Sequence, residues 1–230
     1  MNAVNIGSLV LGERPLIAVA LTDRDAAAIN TLHGADLIEL RIDMFNDLSD
    51  HNVKSVFAMA RDRFGVPIIA TCRLECEGGF RKIAEDDRLE LLKAVTGLSD
   101  AIDVEINSEI ATSVIAHVKQ ANKTVITSYH NFQHTPPIEE LTAIMAKCKQ
   151  AGGHITKIAV MANSQDDLQT MTLFTIDHYR DNIVTIVMGR LGMASRVFFP
   201  LIGSLFTFAS IETLSAPGQM PIHDVSKFLR

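Results

Sequence analysis

The sequence has 230 residues, of which 47% are hydrophobic, and a formal net charge of −6. This hydrophobic fraction is typical of a folded chain and not of a disordered one, and an acidic chain without a basic block argues against nucleic acid as a partner. Because no apolar stretch reaches about 18 uninterrupted residues and the N-terminus lacks the features of a signal peptide, we expect a cytoplasmic protein that does not bind membranes.

Strand and helix patterns alternate along the chain from Pro15 onward. The predicted strands are short apolar runs rich in β-branched residues. Several helices begin at a capping residue such as Thr22 or at a proline suited to the first turn, Pro137. The predicted strands cover residues 16–21, 37–42, 67–73, 101–106, 124–130, 154–161, 183–188 and 205–209, and the predicted helices cover residues 23–33, 51–64, 85–98, 108–121, 137–150, 164–179, 193–201 and 222–229.

Eight strand–helix units, spaced by about 25 to 30 residues, are typical of a (β/α)8 barrel of ~250 residues. We therefore predict that residues 1–230 form a single domain, an α/β protein with the (β/α)8 or TIM-barrel fold. The alternative is an open doubly wound sheet, but residues 20–25 lack the glycine fingerprint that such a sheet carries after its first strand. A small N-terminal β-hairpin that closes the barrel bottom is predicted from apolar residues around a glycine, namely Val4, Ile6, Leu9 and Val10 around Gly7.

One apolar strand carries a charged side chain near its middle. Lys157 lies in the run from His154 to Met161, between a pair of glycines and an Asn-Ser turn. Burial disfavours the charged form of an amine, and a neutral amine can attack a carbonyl carbon. The alternative is a structural lysine whose ammonium group extends to the rim of the fold or pairs with a carboxylate.

Polar side chains recur on one face of five predicted strands. Because alternate residues of a strand point to the same side, each strand presents these residues together, mostly near its carboxyl end. This end is where a (β/α)8 barrel builds its active site. Any single member could form an ordinary salt bridge at the rim, but their convergence around a lysine favours a functional site. The set consists of Glu39, Arg41, Asp43, Thr71, Arg73, Asp103, Glu105, Ser128, His130 and Lys157.

Loops add further side chains to the same end of the predicted barrel. Glu77 lies in a glycine-containing turn after the third strand. Ser195 and Arg196 lie early in a helix, where a guanidinium and helix N–H groups can hold a carboxylate or a phosphate. Ser215 and Gln219 flank an Ala-Pro-Gly turn, which is either a lid or an ordinary turn.

The three cysteines indicate neither a disulfide framework nor a metal site. Cys72 and Cys76 are four residues apart, but no second cysteine pair or nearby histidine completes a zinc set. An odd number of cysteines in a chain without a secretion signal indicates reduced thiols.

Several short motifs follow one another along most of the chain. They are Glu39-Leu-Arg41-Ile-Asp43, Thr71-Cys-Arg73 with Glu77-Gly-Gly79, Asp103-Val-Glu105, Ser128-Tyr-His130-Asn-Phe132 with Thr135-Pro136, Lys157-Ile-Ala-Val, Met188-Gly with Gly192 and Ser195-Arg196, Gly203-Ser204 with Thr207-Phe208-Ala209, and Ser215-Ala-Pro-Gly-Gln219. As a collinear set, these motifs resemble those of the type I 3-dehydroquinate dehydratases.

The resemblance implies a (β/α)8 barrel, commonly a homodimer, that uses no metal or other cofactor. The implied reaction is the loss of water from 3-dehydroquinate to give 3-dehydroshikimate in the shikimate pathway of aromatic amino-acid biosynthesis. Lys157 resembles the Schiff-base lysine, His130 the general acid/base, and Glu77 the carboxylate that orients this histidine.

The resemblance also implies a set of substrate contacts. Arg196 resembles the arginine that holds the substrate carboxylate, and Asp103 stands at an auxiliary acidic position. Ala20 departs from the family pattern, because a serine often occupies this position. The remaining implied contacts are Glu39, Arg41 and Arg73, to the substrate hydroxyls and frame, and Ser215 and Gln219, in the closing loop.

Two other functions stay open from the sequence. A different Schiff-base barrel, such as a class I aldolase, would share Lys157 but would not need Arg196 and Gln219 around a carboxylated ring. A barrel that only binds the metabolite as a sensor would not need both Lys157 and His130.

Overall fold

The computed structural model describes residues 4–211 and 216–230. Within these ranges a short hairpin precedes eight parallel strands that alternate with eight α-helices. None of the helices in the described ranges is long and apolar enough to cross a membrane. The strands are β1 (Asn5–Ile6), β2 (Leu9–Val10), β3 (Ile17–Leu21), β4 (Leu37–Arg41), β5 (Ile68–Thr71), β6 (Ala101–Glu105), β7 (Thr124–Asn131), β8 (Ile155–Met161), β9 (Ile183–Met188), β10 (Thr207–Ser210) and β11 (Met220–Pro221), and the helices are α1 (Asp23–Ala28), α2 (Asp50–Phe64), α3 (Glu85–Val95), α4 (Ala111–Gln120), α5 (Ile138–Gln150), α6 (Gln165–Asp177), α7 (Ser195–Ile202) and α8 (Ile222–Leu229).

The strands from β3 to β9 pair in chain order and in parallel, and β10 returns to pair with β3. The sheet is closed between β9 and the segment before β10, where the Leu205 N–H donates to the Ile183 carbonyl over 2.9 Å. The Thr185 N–H also donates to Ser204 Oγ over 3.1 Å. The predicted (β/α)8 barrel is confirmed, and the short strand β11 extends it by pairing with β10.

The N-terminal hairpin packs into the bottom of the barrel, as predicted. The strands β1 and β2 pair in antiparallel fashion around Gly7. Ile6 and Leu11 are buried, and they belong to the same apolar cluster as Leu16, Leu37 and Ile126. This cluster extends from the hairpin through the barrel interior to Ile186, Met188 and Phe208, which lie beside the polar residues at the carboxyl ends of the strands.

Strand register brings the polar residues of β5 to β8 side by side. Thr71 pairs with Asp103, Glu105 pairs with Ser128, and Ser128 in turn pairs with Lys157. Because paired residues on one face of a sheet are neighbours, the alternation noted in the sequence becomes one continuous polar surface at the barrel mouth.

The structure differs from several of the predicted helix boundaries, as α1 and α4 show. The helix predicted over residues 23–33 ends at Ala28, because Ile29 adopts an extended backbone with ψ of 142° and the residues that follow are poor helix formers. The helix predicted from Ser108 begins at Ala111. Ser108 instead forms a turn, in which its N–H donates to the Glu105 carbonyl over 3.1 Å.

Candidate active site

A cavity of about 470 Å³, including its open mouth, lies at the carboxyl end of the barrel strands. Its size suits a small molecule. Eight residues predicted from the sequence line it, together with an apolar wall that the sequence did not single out. Ser215 lies outside the described residues. The predicted residues are Glu39, Arg41, Arg73, Glu77, His130, Lys157, Arg196 and Gln219, and the others are Gly78, Phe132, Ala159, Ile186, Met188, Phe208 and Ala216.

Lys157 lies at the floor of this cavity and is buried. Its Nζ donates to Asp103 Oδ2 over 2.9 Å and to Glu39 Oε1 over 3.3 Å. The same nitrogen lies 4.5 Å from the centroid of the Phe208 ring, which forms a cation–π contact. The side chain therefore does not extend to the rim, and its charge is paired with two carboxylates, which sequence reasoning had considered only as the structural alternative.

The two carboxylates that bind Lys157 are held in place by hydroxyl groups. Thr71 Oγ1 donates to Glu39 Oε1 over 2.8 Å, and Ser128 Oγ donates to Asp103 Oδ1 over 2.6 Å. Burial alone would raise the pKa of Asp103, but the adjacent charges of Arg73 and Lys157 hold it well below its usual range. Asp103 is therefore a permanent anion under Lys157 and a poor proton acceptor.

Arg41 and Arg73 are positively charged side chains of the cavity wall, and each forms ion pairs with carboxylates of the protein. Arg41 donates to both oxygens of Asp43 over 2.9 and 2.8 Å. Arg73 Nη1 donates to Glu105 over 2.8 Å, and its Nη2 lies 3.0 Å from Asp103. Such paired geometry fixes the plane of each guanidinium.

His130 and Glu77 form a hydrogen-bonded pair above Lys157. Glu77 Oε2 accepts the backbone N–H of His130 over 2.8 Å and lies 3.1 Å from its ring Nδ1. Because Nδ1 faces the carboxyl group, Nε2 is the ring nitrogen available to a molecule in the cavity. Glu77 is carried by the turn after β5, where Gly78 adopts φ of +89° and leaves no room for a Cβ against Phe132.

The electrostatic environment moves the pKa values of this pair in opposite directions. Burial, then the positive charges of Arg73 and Lys157, lower the pKa of His130 well below its usual value. Burial, aided by the negative charge of Glu105, raises the pKa of Glu77 to about 7. The imidazole is therefore neutral and free to accept a proton, while the carboxyl group changes its charge near neutral pH.

Arg196 is buried, with only 1% of its surface exposed. In the part of the chain that the structure describes, no Asp or Glu lies within ion-pair distance of it, and its Nε has no hydrogen-bond partner. Its Nη2 donates to the Pro217 carbonyl over a long 3.4 Å. Burial lowers the pKa of Arg196 to about 10. An anion bound in the cavity would supply the missing charge.

Two predicted polar residues serve the scaffold and do not face the cavity. Ser195 Oγ donates to the Gly192 carbonyl over 2.6 Å and accepts the Val187 N–H over 3.3 Å, so it ties α7 to β9. Asp43 accepts the backbone N–H groups of Arg73 and Phe80 as well as the Arg41 side chain. Ser195 is thus not the anion contact that its place beside Arg196 suggested.

Sequence reasoning missed one buried charge near the site, Arg88 on α3. Arg88, Leu92 and Val95 are all buried and share one helix face, so an arginine on an otherwise apolar face was the available signal. Of the apolar cavity wall, Ile186 had no such signal, because it has the pattern of an ordinary core residue, whereas Phe132, Met188 and Phe208 appeared only as members of the family motifs.

No metal site accompanies the cavity in residues 4–211 and 216–230, where no three His, Cys, Asp or Glu side chains are placed to share an ion. Cys72 and Cys148 are buried thiols and Cys76 is an exposed one. Their state as free thiols agrees with the prediction.

Comparison with known proteins relates the whole chain to one family. The family model described as Type I 3-dehydroquinase matches residues 16–230. The 3-dehydroquinate dehydratase of Thermodesulfovibrio yellowstonii is 39% identical over 219 residues, which are 94% of this chain and 95% of the relative. That of Methanococcoides burtonii is 33% identical over 228 residues, which are 97% of each chain.

Comparison with solved structures relates the chain to the same family. The 3-dehydroquinate dehydratase of Geobacillus kaustophilus superposes with a TM-score of 0.91 at 29% identity, and the match covers 99% of this chain and 95% of that one. The type I enzyme of Clostridium difficile, solved with covalent modified comenic acid, has a TM-score of 0.89 at 28% identity, with 99% and 96% covered.

The raised pKa of Glu77 predicts a pH-dependent gain in stability for Glu77→Gln. The folded-state pKa of about 7 exceeds the ordinary value of 4.5, so the stability from this carboxyl group is present below pH 4.5 and is lost as the pH rises through 7. Glutamine carries no charge, and it should raise the free energy of unfolding at pH 8 by up to about 3 kcal/mol, with little gain at pH 5. Urea unfolding at both pH values measures this.

Glu75→Gln is the matched control, because Glu75 lies in the same turn but is exposed. Its effect should be small at both pH values. An equal change at pH 5 and pH 8 for Glu77→Gln would contradict a raised pKa.

Proposed function

The chain belongs to the type I 3-dehydroquinase family, and from this membership we propose that it dehydrates 3-dehydroquinate to 3-dehydroshikimate through an imine on Lys157. The enzyme would be a carbon–oxygen lyase of the shikimate pathway. The observation that carries the proposal is the juxtaposition, in one cavity, of a buried amine, a neutral imidazole paired with a carboxyl group, and a guanidinium that pairs with no carboxylate of the described residues.

The imine is proposed because the proton to be removed lies next to a ketone and is poorly acidic. Lys157 Nζ adds to the ketone carbon and water leaves, which gives a protonated imine, a much stronger electron sink than the ketone. The ammonium must first lose a proton. Asp103 has a pKa far too low to hold that proton, so we assign its removal to the His130–Glu77 pair, in which the pKa of Glu77 is about 7.

Conversion to the imine also changes the hydrogen bonds of Lys157. An ammonium has three N–H donors, whereas a protonated imine has one. Nζ is closer to Asp103 (2.9 Å) than to Glu39 (3.3 Å), so we assign the remaining N–H to Asp103. Glu39 is then released to accept a hydrogen bond from a substrate hydroxyl, which agrees with the role that the family resemblance implies.

His130 is proposed as the general acid and base. Its neutral Nε2 takes the proton next to the imine carbon, and the charge of the resulting imidazolium is stabilised by Glu77 at Nδ1. The same proton then goes to the departing hydroxyl, which leaves as water. Water hydrolyses the product imine and restores the Lys157 amine.

Arg196 is proposed to hold the substrate carboxylate, because it is the buried cation of the cavity that no described carboxylate neutralises. Fixing this end of the substrate determines which C–H bond faces His130. Arg41, Arg73 and Gln219 also line the cavity, and we propose that they contact the substrate ring and its hydroxyls. The same role is proposed for Ser215, which lies outside the described residues.

The other functions considered from the sequence gain no support. A class I aldolase would not require a buried cation such as Arg196 beside its imine, and a sensor would not require the His130–Glu77 pair. The reported relatives are both 3-dehydroquinate dehydratases by name.

A homodimer is proposed as the functional assembly, with the exposed apolar face of α6 and α7 as the contact. Leu173 and Ile176 on α6 and Phe198 and Leu201 on α7 are between 44% and 59% exposed. The members of each pair are three residues apart, and the two helices are neighbours. A contiguous apolar surface of this kind marks an interface, and a second copy of the chain can cover it by two-fold symmetry.

Borohydride trapping tests the imine. Sodium borohydride added during turnover should reduce the imine and leave an adduct on the Lys157 peptide in mass spectrometry, with exposed Lys147 unmodified.

His130→Ala should still be trapped while kcat falls by about 10²- to 10⁴-fold, whereas His134→Ala, at an exposed histidine after the same strand, should be near wild type.

An unmodified Lys157 under these conditions would exclude the covalent mechanism. Near-normal turnover of His130→Ala, measured by the absorbance of the enone product, would exclude the acid–base assignment while leaving the imine intact.

The carboxylate assignment predicts a binding defect for Arg196→Met. Loss of a hydrogen bond between charged groups should raise KM for 3-dehydroquinate by about 10- to 100-fold, with a smaller change in kcat. Because no carboxylate of the described residues pairs with Arg196 and burial lowers its pKa, the variant should unfold at no lower urea concentration than wild type. Arg190→Met, at a nearby exposed arginine, is the control, and an unchanged KM for Arg196→Met would remove the assignment.

The dimer proposal predicts a loss of self-association for Phe198→Glu combined with Leu201→Glu. Two buried charges per protomer would oppose the contact, so sedimentation velocity should show a monomer where wild type shows a dimer. Phe228→Glu, at an exposed apolar residue on α8, is the matched control. A dimer that survives both changes at α7 would place the interface elsewhere.

A further inference from the structure

Arg88 lies on α3, outside the barrel, yet its side chain is only 1% exposed. Its guanidinium is bound on every side. Nε donates to the Cys72 carbonyl over 2.9 Å, and Nη1 donates to Ser108 Oγ over 3.2 Å. Nη1 also pairs with Glu85, and Nη2 pairs with Glu105. Arg88 thus connects α3 to the ends of β5 and β6.

Glu105 links Arg88 to residues at the barrel mouth. It is fully buried at the end of β6, with Oε2 bound to Arg88. Its other oxygen, Oε1, accepts from Arg73 Nη1 over 2.8 Å and from the Leu74 N–H over 2.9 Å. One carboxylate therefore holds a guanidinium of the cavity wall and the start of the turn after β5.

Both groups held by Glu105 lead directly to the reacting side chains. Arg73 binds Asp103, which binds Lys157 Nζ. Leu74 begins the turn that carries Glu77, whose carboxyl group binds His130. Displacement of Glu105 would therefore move two groups at once. These are Asp103, which binds the Lys157 amine, and Glu77, which binds the His130 imidazole.

We propose that Arg88 and Glu105 form a positioning pair, which orients Arg73 and fixes the Glu77 turn against His130. The inference rests on the proposed function, because it concerns the alignment of the acid–base pair for that reaction. Neither residue touches the cavity; both act through the groups that do.

A purely structural role would be better served by apolar residues, since well-packed hydrophobic replacements of a buried ion pair are often neutral or stabilising. The charges of this pair also act on the site. The negative charge of Glu105 contributes to the raised pKa of Glu77, and Arg88 partly offsets that charge. The charged and titratable groups around Glu77 are Arg73 on the β5 end, Asp103 and Glu105 on β6, His130 on β7, and its chain neighbour Cys76.

Charge changes in the pair therefore predict opposite shifts in the pH profile. The acid limb of kcat/KM, set by the Glu77–His130 pair, should move to higher pH in Arg88→Met, because the Glu105 charge is less offset. It should move to lower pH in Glu105→Gln, because the negative charge is removed. Each shift should be on the order of one pH unit, and kcat should fall by about 10- to 100-fold as alignment is lost.

The double variant Arg88→Met with Glu105→Gln removes one charge of each sign. Its acid limb should return towards that of wild type. Arg61→Met is the matched control, because Arg61 also bonds a carbonyl and a carboxylate across helices but does so at the amino end of β6. Its kcat and pH profile should equal those of wild type.

Arg88→Lys separates geometry from charge, and it serves equally if Arg88→Met does not fold. Lysine keeps the positive charge but cannot reproduce the four contacts of the guanidinium, so kcat should fall while the acid limb stays in place. Wild-type kcat in this variant and in Glu105→Gln, or shifts of the limb in the same direction in both charge variants, would overturn the positioning role.

Borohydride trapping distinguishes a failure of the positioning proposal from a failure of the proposed imine mechanism. The adduct on Lys157 should form in wild type and in every variant of the pair, since none alters the amine. Failure of wild type to form it would contradict the imine mechanism, whereas trapped variants with wild-type kcat and pH profiles would contradict only the positioning pair.

Discussion

Charge pairing among buried side chains is the constraint on which the barrel mouth depends. An ionised side chain is costly to bury unless an opposite charge and hydrogen bonds accompany it. Within the described residues, the mouth and its support bury four cations and four carboxylates that form ion pairs with one another, and the backbone N–H of Arg73, which donates to Asp43, joins the Arg41–Asp43 pair to the other six. The members are Arg41, Arg73, Arg88 and Lys157, with Glu39, Asp43, Asp103 and Glu105.

Two buried ionisable side chains of the mouth, Glu77 and Arg196, do not belong to this set, and burial shifts the pKa of each. Glu77 has its pKa raised to about 7 by burial, and Arg196 has its pKa lowered to about 10 by burial. The proposed mechanism uses both, since one supports a proton on His130 and the other takes a substrate carboxylate. Residues left uncompensated in the free protein lower its stability, and such sites are typical of function.

The sequence predicted the barrel and much of the cavity lining because both follow from local periodicity. Alternation along β4 to β8 was sufficient to place Glu39, Arg73 and Lys157 on one face. Periodicity says nothing about which charges meet, since Lys157 and Glu39 are 118 positions apart. For that reason the lysine was expected to be a desolvated amine, and its two carboxylate partners became visible only in the fold. Arg88 was missed because its partner Glu105 lies on a different element.

The balanced set also determines which charge is free to move during the proposed reaction. A protonated imine keeps the positive charge of the lysine ammonium, so the pairing of Lys157 with Asp103 survives the covalent step. Removal of the proton next to the imine carbon then converts the protonated imine into a neutral enamine, so one positive charge leaves the set and appears on His130 until the hydroxyl departs as water. The positive charge that appears on His130 faces Glu77, which among the described residues is the carboxyl group of the cavity lining outside the set. A carboxyl group fully paired within the set could not respond to the imidazolium, whereas Glu77 in its carboxylate form can accept a hydrogen bond from the imidazolium Nδ1–H.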